Sequence, residues 1–76
     1  MQDRFELEKK AFGSRLRQLR ELRGLSQLDL ELASGINRTE ISRIENGQKN
    51  IELATIVRLA IALDVDLKDF FLPFSA

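Results

Sequence analysis

The sequence contains neither cysteine nor histidine among its 76 residues. Without cysteine, the chain can form no disulfide bond, thiolate nucleophile or cysteine-ligated zinc site. Without histidine, it also lacks the side chain that enzymes most often use as a general base. These absences argue against an enzyme and against a metal site, and no cofactor is expected.

Long hydrophobic runs are absent as well. No apolar stretch reaches the roughly 20 residues that a membrane-spanning helix needs, and the N-terminus does not resemble a signal peptide. We therefore expect a soluble, cytoplasmic protein without membrane contact. The chain is short enough to form one domain over residues 1–76, and a domain of this size gains useful stability from dimerisation.

The chain has no excess of charge of either sign, because twelve basic residues balance twelve acidic ones. A neutral protein has little non-specific affinity for nucleic acid, since that affinity comes from phosphate neutralisation. The charges are unevenly distributed, however, and ten of the twelve Lys and Arg residues lie within residues 4–49. Any nucleic-acid binding should therefore depend on base contacts and on dimer avidity.

Two short helices joined by a tight turn are predicted within residues 25–47. Ser26 can cap the first of them, and Asp29 follows at the spacing of a capping box. Gly35 then ends this helix, because glycine readily adopts the left-handed conformation found at helix C-termini.

The second helix of this pair begins at its own cap. Asn37 can cap it, with Glu40 closing a second capping box. Ile41 and Ile44 are spaced to face inward, and Gly47 ends the helix. Two helices with so short a turn must cross steeply, which is the arrangement of a helix-turn-helix motif.

The remaining side chains of the second helix point outward and are suited to reading DNA: Arg38, Thr39, Ser42 and Arg43. Arginine can donate two hydrogen bonds to guanine, and Thr and Ser can contact several bases. The second helix of such a motif is the one that enters the major groove. The alternative is that these residues are only the solvated face of an amphipathic helix.

Over the whole chain, we predict five helices and no strands, at about residues 3–23, 27–33, 38–46, 53–63 and 67–71. Residues 1–11 form an N-terminal extension, either as a continuous part of helix 1 or as a frayed arm. Within helix 1, Gly13 is a weak point that costs about 1 kcal/mol relative to alanine. The apolar stripe of helix 1 consists of Phe5, Phe12, Leu16, Leu19 and Leu22.

The sequence from about Phe12 to Phe71 resembles the helix-turn-helix family of the phage lambda repressor and Cro, also called the xenobiotic-response-element type. The resemblance implies an all-α, compact five-helix domain with the motif in helices 2 and 3. A narrower resemblance is to restriction-modification controller proteins. The short chain and the run of Arg38-Thr39 and Ile41-Ser42 carry this narrower resemblance. The residues that carry the resemblance to the lambda repressor and Cro family are Leu16-Arg17, Leu19-Arg20, Leu25-Ser26-Gln27, Gly35-Ile36, Arg38-Thr39, Ile41-Ser42, Ile44-Glu45-Asn46-Gly47, Leu59-Ala60 and Ala62-Leu63.

The resemblance also implies roles for individual residues. The outward residues of helix 3 would contact bases, and a set of neighbouring polar residues would contact phosphates: Gln27, Asn46, Gln48, Lys49 and Asn50. In the family, the amide of this Gln also braces helix 3; the alternative for Gln27 is an ordinary exposed residue. Arg20 and Glu45 match a structural salt bridge that holds helix 3 against helix 1.

Glu31 departs from the family, which usually has alanine at this position between helices 2 and 3. A carboxylate there must reach solvent, bond to the start of helix 3 or pair with a cation.

Apolar residues exceed what a small core needs. In helix 4, Leu53 and other apolar residues suffice for the core, and Val57 and Ile61 add a second stripe. We predict a homodimer interface formed by helix 4 and by the C-terminal helix and tail, residues 64–76. Its residues are Val57, Ile61, Phe70, Phe71 and Phe74. The alternative for the Phe cluster is that it belongs to the core of the monomer. A second apolar pair, Leu28 and Leu32, is a candidate surface for a protein partner.

The expected function is a sequence-specific, bacterial DNA-binding transcriptional regulator, a repressor for example. It would act as a homodimer on palindromic double-stranded DNA. The alternative is an antitoxin-like protein-interaction module that also represses its own operon.

Overall fold

The structure, a computed structural model, describes residues 3–72. Within that range the regular secondary structure is entirely helical. The predicted all-α fold is confirmed, and every predicted helix boundary lies within one residue of the observed one. The fifth helix is a short 3-10 helix. The elements are α1 (Arg4–Leu22), α2 (Gln27–Ser34), α3 (Arg38–Glu45), α4 (Leu53–Leu63) and the 3-10 helix (Leu67–Phe71). None of these helices is long and apolar enough to span a bilayer.

Helix α1 is continuous from Arg4, so residues 4–11 of the N-terminal extension are helical. Asp3 caps the helix, and its carboxylate accepts a hydrogen bond from the Glu6 N–H at 2.9 Å. This cap satisfies one of the N–H groups that have no partner in the first turn. Residues 1 and 2 lie outside the described range.

The core draws side chains from every helix and from the turn between α2 and α3. Its members are Phe12, Leu16, Leu19, Leu30, Ile36, Ile41, Ile44, Leu59, Ala60, Leu63 and Phe70. The prediction was wrong for Phe5 and Leu22 in α1 and for Leu53 in α4, which are exposed. These three residues lie near helix ends, where no neighbouring helix covers them.

Gly13 lies at a close contact between α1 and the end of α3. A Cβ atom at this position would lie 2.7 Å from the carbonyl oxygen of Glu45 and closer still to that of Ile44. The glycine that the sequence identified only as a weak point therefore permits two helix backbones to pack in direct contact.

The capping box predicted for α2 is present. The Ser26 hydroxyl accepts from the Asp29 N–H at 3.0 Å, and the Asp29 carboxylate accepts from the Ser26 N–H at 2.9 Å. The backbone bond from Ser26 lowers the pKa of Asp29. The helix ends at Gly35, whose φ is 74°, so the turn into α3 uses the left-handed conformation as predicted.

Candidate nucleic-acid interface

The start of α3 is held by two side chains. The Asn37 amide oxygen accepts from the Thr39 N–H at 2.7 Å, which confirms Asn37 as a cap. The Glu31 carboxylate accepts from the Arg38 N–H, also at 2.7 Å. Of the three possibilities for Glu31, the structure therefore shows a bond to the start of α3.

The second predicted capping box is wrong. Glu40 makes no bond to the backbone of Asn37; its carboxylate instead pairs with the Lys49 ammonium at 3.4 Å. The Glu40 carboxylate therefore pairs with the loop that follows α3 and does not cap the helix.

The body of α3 has one buried face and one exposed face. Ile41 and Ile44 are fully buried. On the other side, Arg38, Thr39 and Arg43 are exposed, and Ser42 is half-buried. The orientation matches the prediction, while the base contacts themselves stay a prediction.

The end of α3 is fixed by a buried ion pair. Two nitrogens of the Arg20 guanidinium donate to the two carboxylate oxygens of Glu45, at 2.7 and 3.0 Å. The side chains are only 10% and 4% exposed. A further Arg20 nitrogen donates to the Leu25 carbonyl at 2.8 Å. The bond to Glu45 raises the pKa of Arg20 against the opposing effect of burial.

Gln27 joins this network from α2. Its amide nitrogen donates to a carboxylate oxygen of Glu45 at 3.1 Å. Of the two predicted roles, the structure shows the brace of α3, and phosphate contact by Gln27 stays a prediction. Because Glu45 accepts from both Arg20 and Gln27, one carboxylate ties α1, α2 and α3 together.

The loop after α3 presents polar groups beside the exposed face of the helix. Asn46, Gln48 and Asn50 are exposed, and Lys49 is half-buried. The ion pair with Glu40 partly offsets the charge of Lys49, which weakens it as a phosphate ligand. Phosphate contact by this loop stays a prediction.

Lys10 is a basic residue near this loop that sequence reasoning missed. Its Cα lies only 3.0 Å from where a Cβ on Gly47 would be, so the extension of α1 packs directly on the end of the motif. Lys10 is exposed and has no ion pair within residues 3–72. No sequence pattern relates position 10 to position 47, so only the fold could show this proximity.

The predicted dimer residues do not all lie on the surface. Phe70 is 2% exposed and stacks on Phe12 with ring centroids 5.1 Å apart. It is therefore a core residue of the monomer, which corrects its assignment to the interface. Phe71 is exposed, and Phe74 lies outside the described residues.

Two of the apolar surfaces that are exposed among residues 3–72 contain residues predicted to contact another chain. On the first, Val57 and Ile61 of α4 line a shallow depression together with Leu67 of the 3-10 helix. On the second, Leu28 and Leu32 project from α2. No cluster of acidic side chains suited to a metal ion occurs within residues 3–72.

The helix-turn-helix family model matches residues 16–70, which include the two helices of the motif and the core of the domain. The chain belongs to the helix-turn-helix family. As a member of this family, it is a DNA-binding regulator and not an enzyme.

Relatives and solved structures of this family agree with the match. The transcriptional repressor RghR of Bacillus subtilis is 46% identical over 56 residues, 72% of this chain; the match spans only 42% of that longer protein. The control protein C.BamHI of Bacillus amyloliquefaciens is 39% identical over 59 residues, 76% of this chain and 73% of that protein. The crystal structure of the restriction-modification controller protein C.AhdI from Aeromonas hydrophila matches with a TM-score of 0.83 and 42% identity, over 86% of this chain and 98% of that one.

Proposed function

We propose that this protein is a sequence-specific transcriptional regulator that binds an inverted-repeat operator as a homodimer in the bacterial cytoplasm. The observation that carries the proposal is the geometry of α3. Arg38, Thr39 and Arg43 form an exposed donor-rich face, and the opposite face is buried. Such a helix matches the size of the major groove, where arginine and hydroxyl side chains can discriminate base pairs.

The homodimer is supported by the depression on α4. Val57, Ile61 and Leu67 together expose an apolar patch to water. Such a patch is typical of a protein–protein interface. A two-fold dimer would bury the same patch on both subunits. The dimer would also present two copies of α3, one for each half-site of the operator.

The class of regulator that we favour is a restriction-modification controller. C.AhdI and C.BamHI, both controllers by name, cover most of this chain and are themselves mostly covered by it. The match to RghR indicates only a shared DNA-binding domain, because that repressor is much longer.

An antitoxin-like module is the second candidate, and exposed Leu28 and Leu32 on α2 favour it. No relative reported above is named for such a role. A downstream gene that is toxic when expressed alone would support it, and a downstream restriction or methylation gene would support a controller.

Selection of bound sites from a random DNA pool with the purified protein tests the proposal directly. We expect one enriched motif with inverted-repeat symmetry, with half-site centres about 10 base pairs apart or at a multiple of a helical turn. Enrichment of no motif would contradict sequence-specific binding, and a motif without symmetry would contradict the dimer.

Replacing Arg38 or Arg43 with alanine should weaken operator binding by about 1–3 kcal/mol, because each can contribute a pair of hydrogen bonds to one base. Preference at particular base pairs should relax in the same variants. Binding to a panel of single-base operator variants measures both effects. Arg17→Ala is the control, since Arg17 lies on α1 and pairs with Glu21. Equal weakening on every sequence would show that these arginines contact only phosphates.

Replacing Ile61 with glutamate should make the protein monomeric and lower operator affinity by about tenfold or more, because the new charges would lose solvation in the dimer interface. Leu32→Glu is a matched control, since Ile61 and Leu32 are each 75% exposed in the monomer. Sedimentation at micromolar concentration reads out both variants. If only Leu32→Glu made the protein monomeric, the dimer interface would lie on α2 and not on α4.

A further inference from the structure

Both of the first two N–H groups of α3 are occupied by side chains of the protein itself. The Arg38 N–H donates to Glu31, and the Thr39 N–H donates to Asn37, both at 2.7 Å. Asn37 belongs to the cap, whereas Glu31 reaches across the turn from α2. The half-buried Glu31 carboxylate is therefore a direct link between the two helices of the motif.

A free N–H at the start of a helix is a potential phosphate ligand. N–H groups at a helix N-terminus, together with the helix dipole, attract phosphate without regard to base sequence. At the start of a DNA-reading helix, such a contact would strengthen binding to non-operator duplexes, on which α3 can settle against a phosphate. It would add less on the operator, where base contacts already fix the position of α3. The Glu31 carboxylate occupies this N–H and adds a negative charge that opposes the approach of phosphate.

Glu31 occupies the N–H of Arg38 without forming an ion pair with the Arg38 guanidinium. No ion pair joins Glu31 to Arg38, and Arg38 is exposed and without an ion pair among the described residues. The side chain of Arg38 thus stays available for base contact while its backbone is fixed. The carboxylate binds the backbone N–H of the first residue of α3. This bond helps to fix both the direction of the helix and the position of Arg38.

We propose that Glu31 is a positioning residue that increases sequence discrimination by fixing the start of α3 and by keeping its first N–H from binding phosphate. This inference rests on the proposed function and specifies how this chain achieves selectivity. Because the net charge of the chain is zero, non-specific attraction is already weak. Glu31 reduces it further at the N-terminus of α3.

The test compares Glu31→Ala and Glu31→Gln with the unmodified protein, using the operator selected above and a scrambled duplex of equal length. With Glu31→Ala, the N–H becomes free and the charge is lost. Affinity for the scrambled duplex should then rise about 3- to 10-fold, and the ratio of operator to scrambled affinity should fall about tenfold. Base preference at the pairs nearest Arg38 should broaden.

Glu31→Gln separates position from charge, because the glutamine amide oxygen can still accept from the Arg38 N–H. It should keep the base preference of the unmodified protein and lose only part of the discrimination ratio. Thermal unfolding of each variant establishes that the domain is folded at the temperature of the binding assay.

Glu21→Gln is the control for net charge, since Glu21 is exposed on α1 and forms its ion pair with Arg17 of the same helix. It should leave the ratio within about twofold of the starting value. The inference is overturned if Glu31→Ala leaves the ratio within twofold, or if Glu21→Gln lowers it as much. An unmodified protein that prefers no sequence would instead contradict the proposed function, so the two failures are distinguishable.

Discussion

Replacing Gly13 with alanine is expected to lower the free energy of unfolding by about 3 kcal/mol or more, although alanine favours a helix by about 1 kcal/mol over glycine. The new Cβ would overlap the carbonyl oxygens of Ile44 and Glu45, which are backbone atoms at the end of α3. Neither helix can relieve the overlap by rotating a side chain. The helices must separate, and the contacts of the core separate with them.

Thermal unfolding measures this effect, and a loss of this size corresponds to a fall in Tm of at least about 12 °C for a domain of this length. Ser14→Ala is the matched control, because Ser14 is the next residue of α1 and is exposed. That variant should be neutral or slightly more stable. If Gly13→Ala were as stable as Ser14→Ala, the close contact between α1 and α3 would be wrong.

Replacing Arg20 with alanine is expected to cost about 3–5 kcal/mol of stability, because it leaves the buried Glu45 carboxylate without its main partner. Gln27 would remain as a single neutral donor to that carboxylate. Chemical denaturation of Arg20→Ala, Glu45→Ala and the double variant gives the coupling between the two positions. We expect the double variant to be markedly more stable than the sum of the single losses predicts.

Two comparisons sharpen that result. Arg20→Met with Glu45→Leu should recover most of the stability, since apolar side chains of similar volume often replace a buried ion pair at little cost.

The raised pKa of Arg20 means that its contribution is fully present below the ordinary pKa of arginine and is lost only as pH rises beyond it. Arg20 should therefore add no pH dependence between pH 5 and 9. Additive losses in the double variant would contradict the pairing.

Much of the fold could be predicted because its signals are local. Ser26, Asn37 and Gly35 mark helix ends through bonds or backbone angles within a few residues, and all three were placed correctly. The spacing of Ile41 and Ile44 likewise determined which face of α3 is buried. The Arg20–Glu45 pair is not local, and it was expected only because of the family resemblance.

The rest could not be predicted because it depends on which elements meet in space. Phe70 and Phe71 are neighbours in the sequence and both rings lie against Phe12, yet only Phe70 is buried and stacked on it. The partner of Glu40 was misassigned because Lys49 folds back beside α3. The role of Gly13 was hidden for the same reason, since a close contact between two backbones leaves no periodic pattern in either helix.

The two ends of α3 are each fastened to other helices, Glu31 binding its first N–H and Arg20 with Gln27 holding Glu45 at its last residue. A helix fixed at both ends cannot tilt to follow a duplex of imperfect shape. The DNA must then supply the adjustment, through changes in its bend or groove width whose energy depends on sequence. A rigidly held α3 would therefore make operator affinity depend on base pairs between the half-sites, although no side chain contacts them.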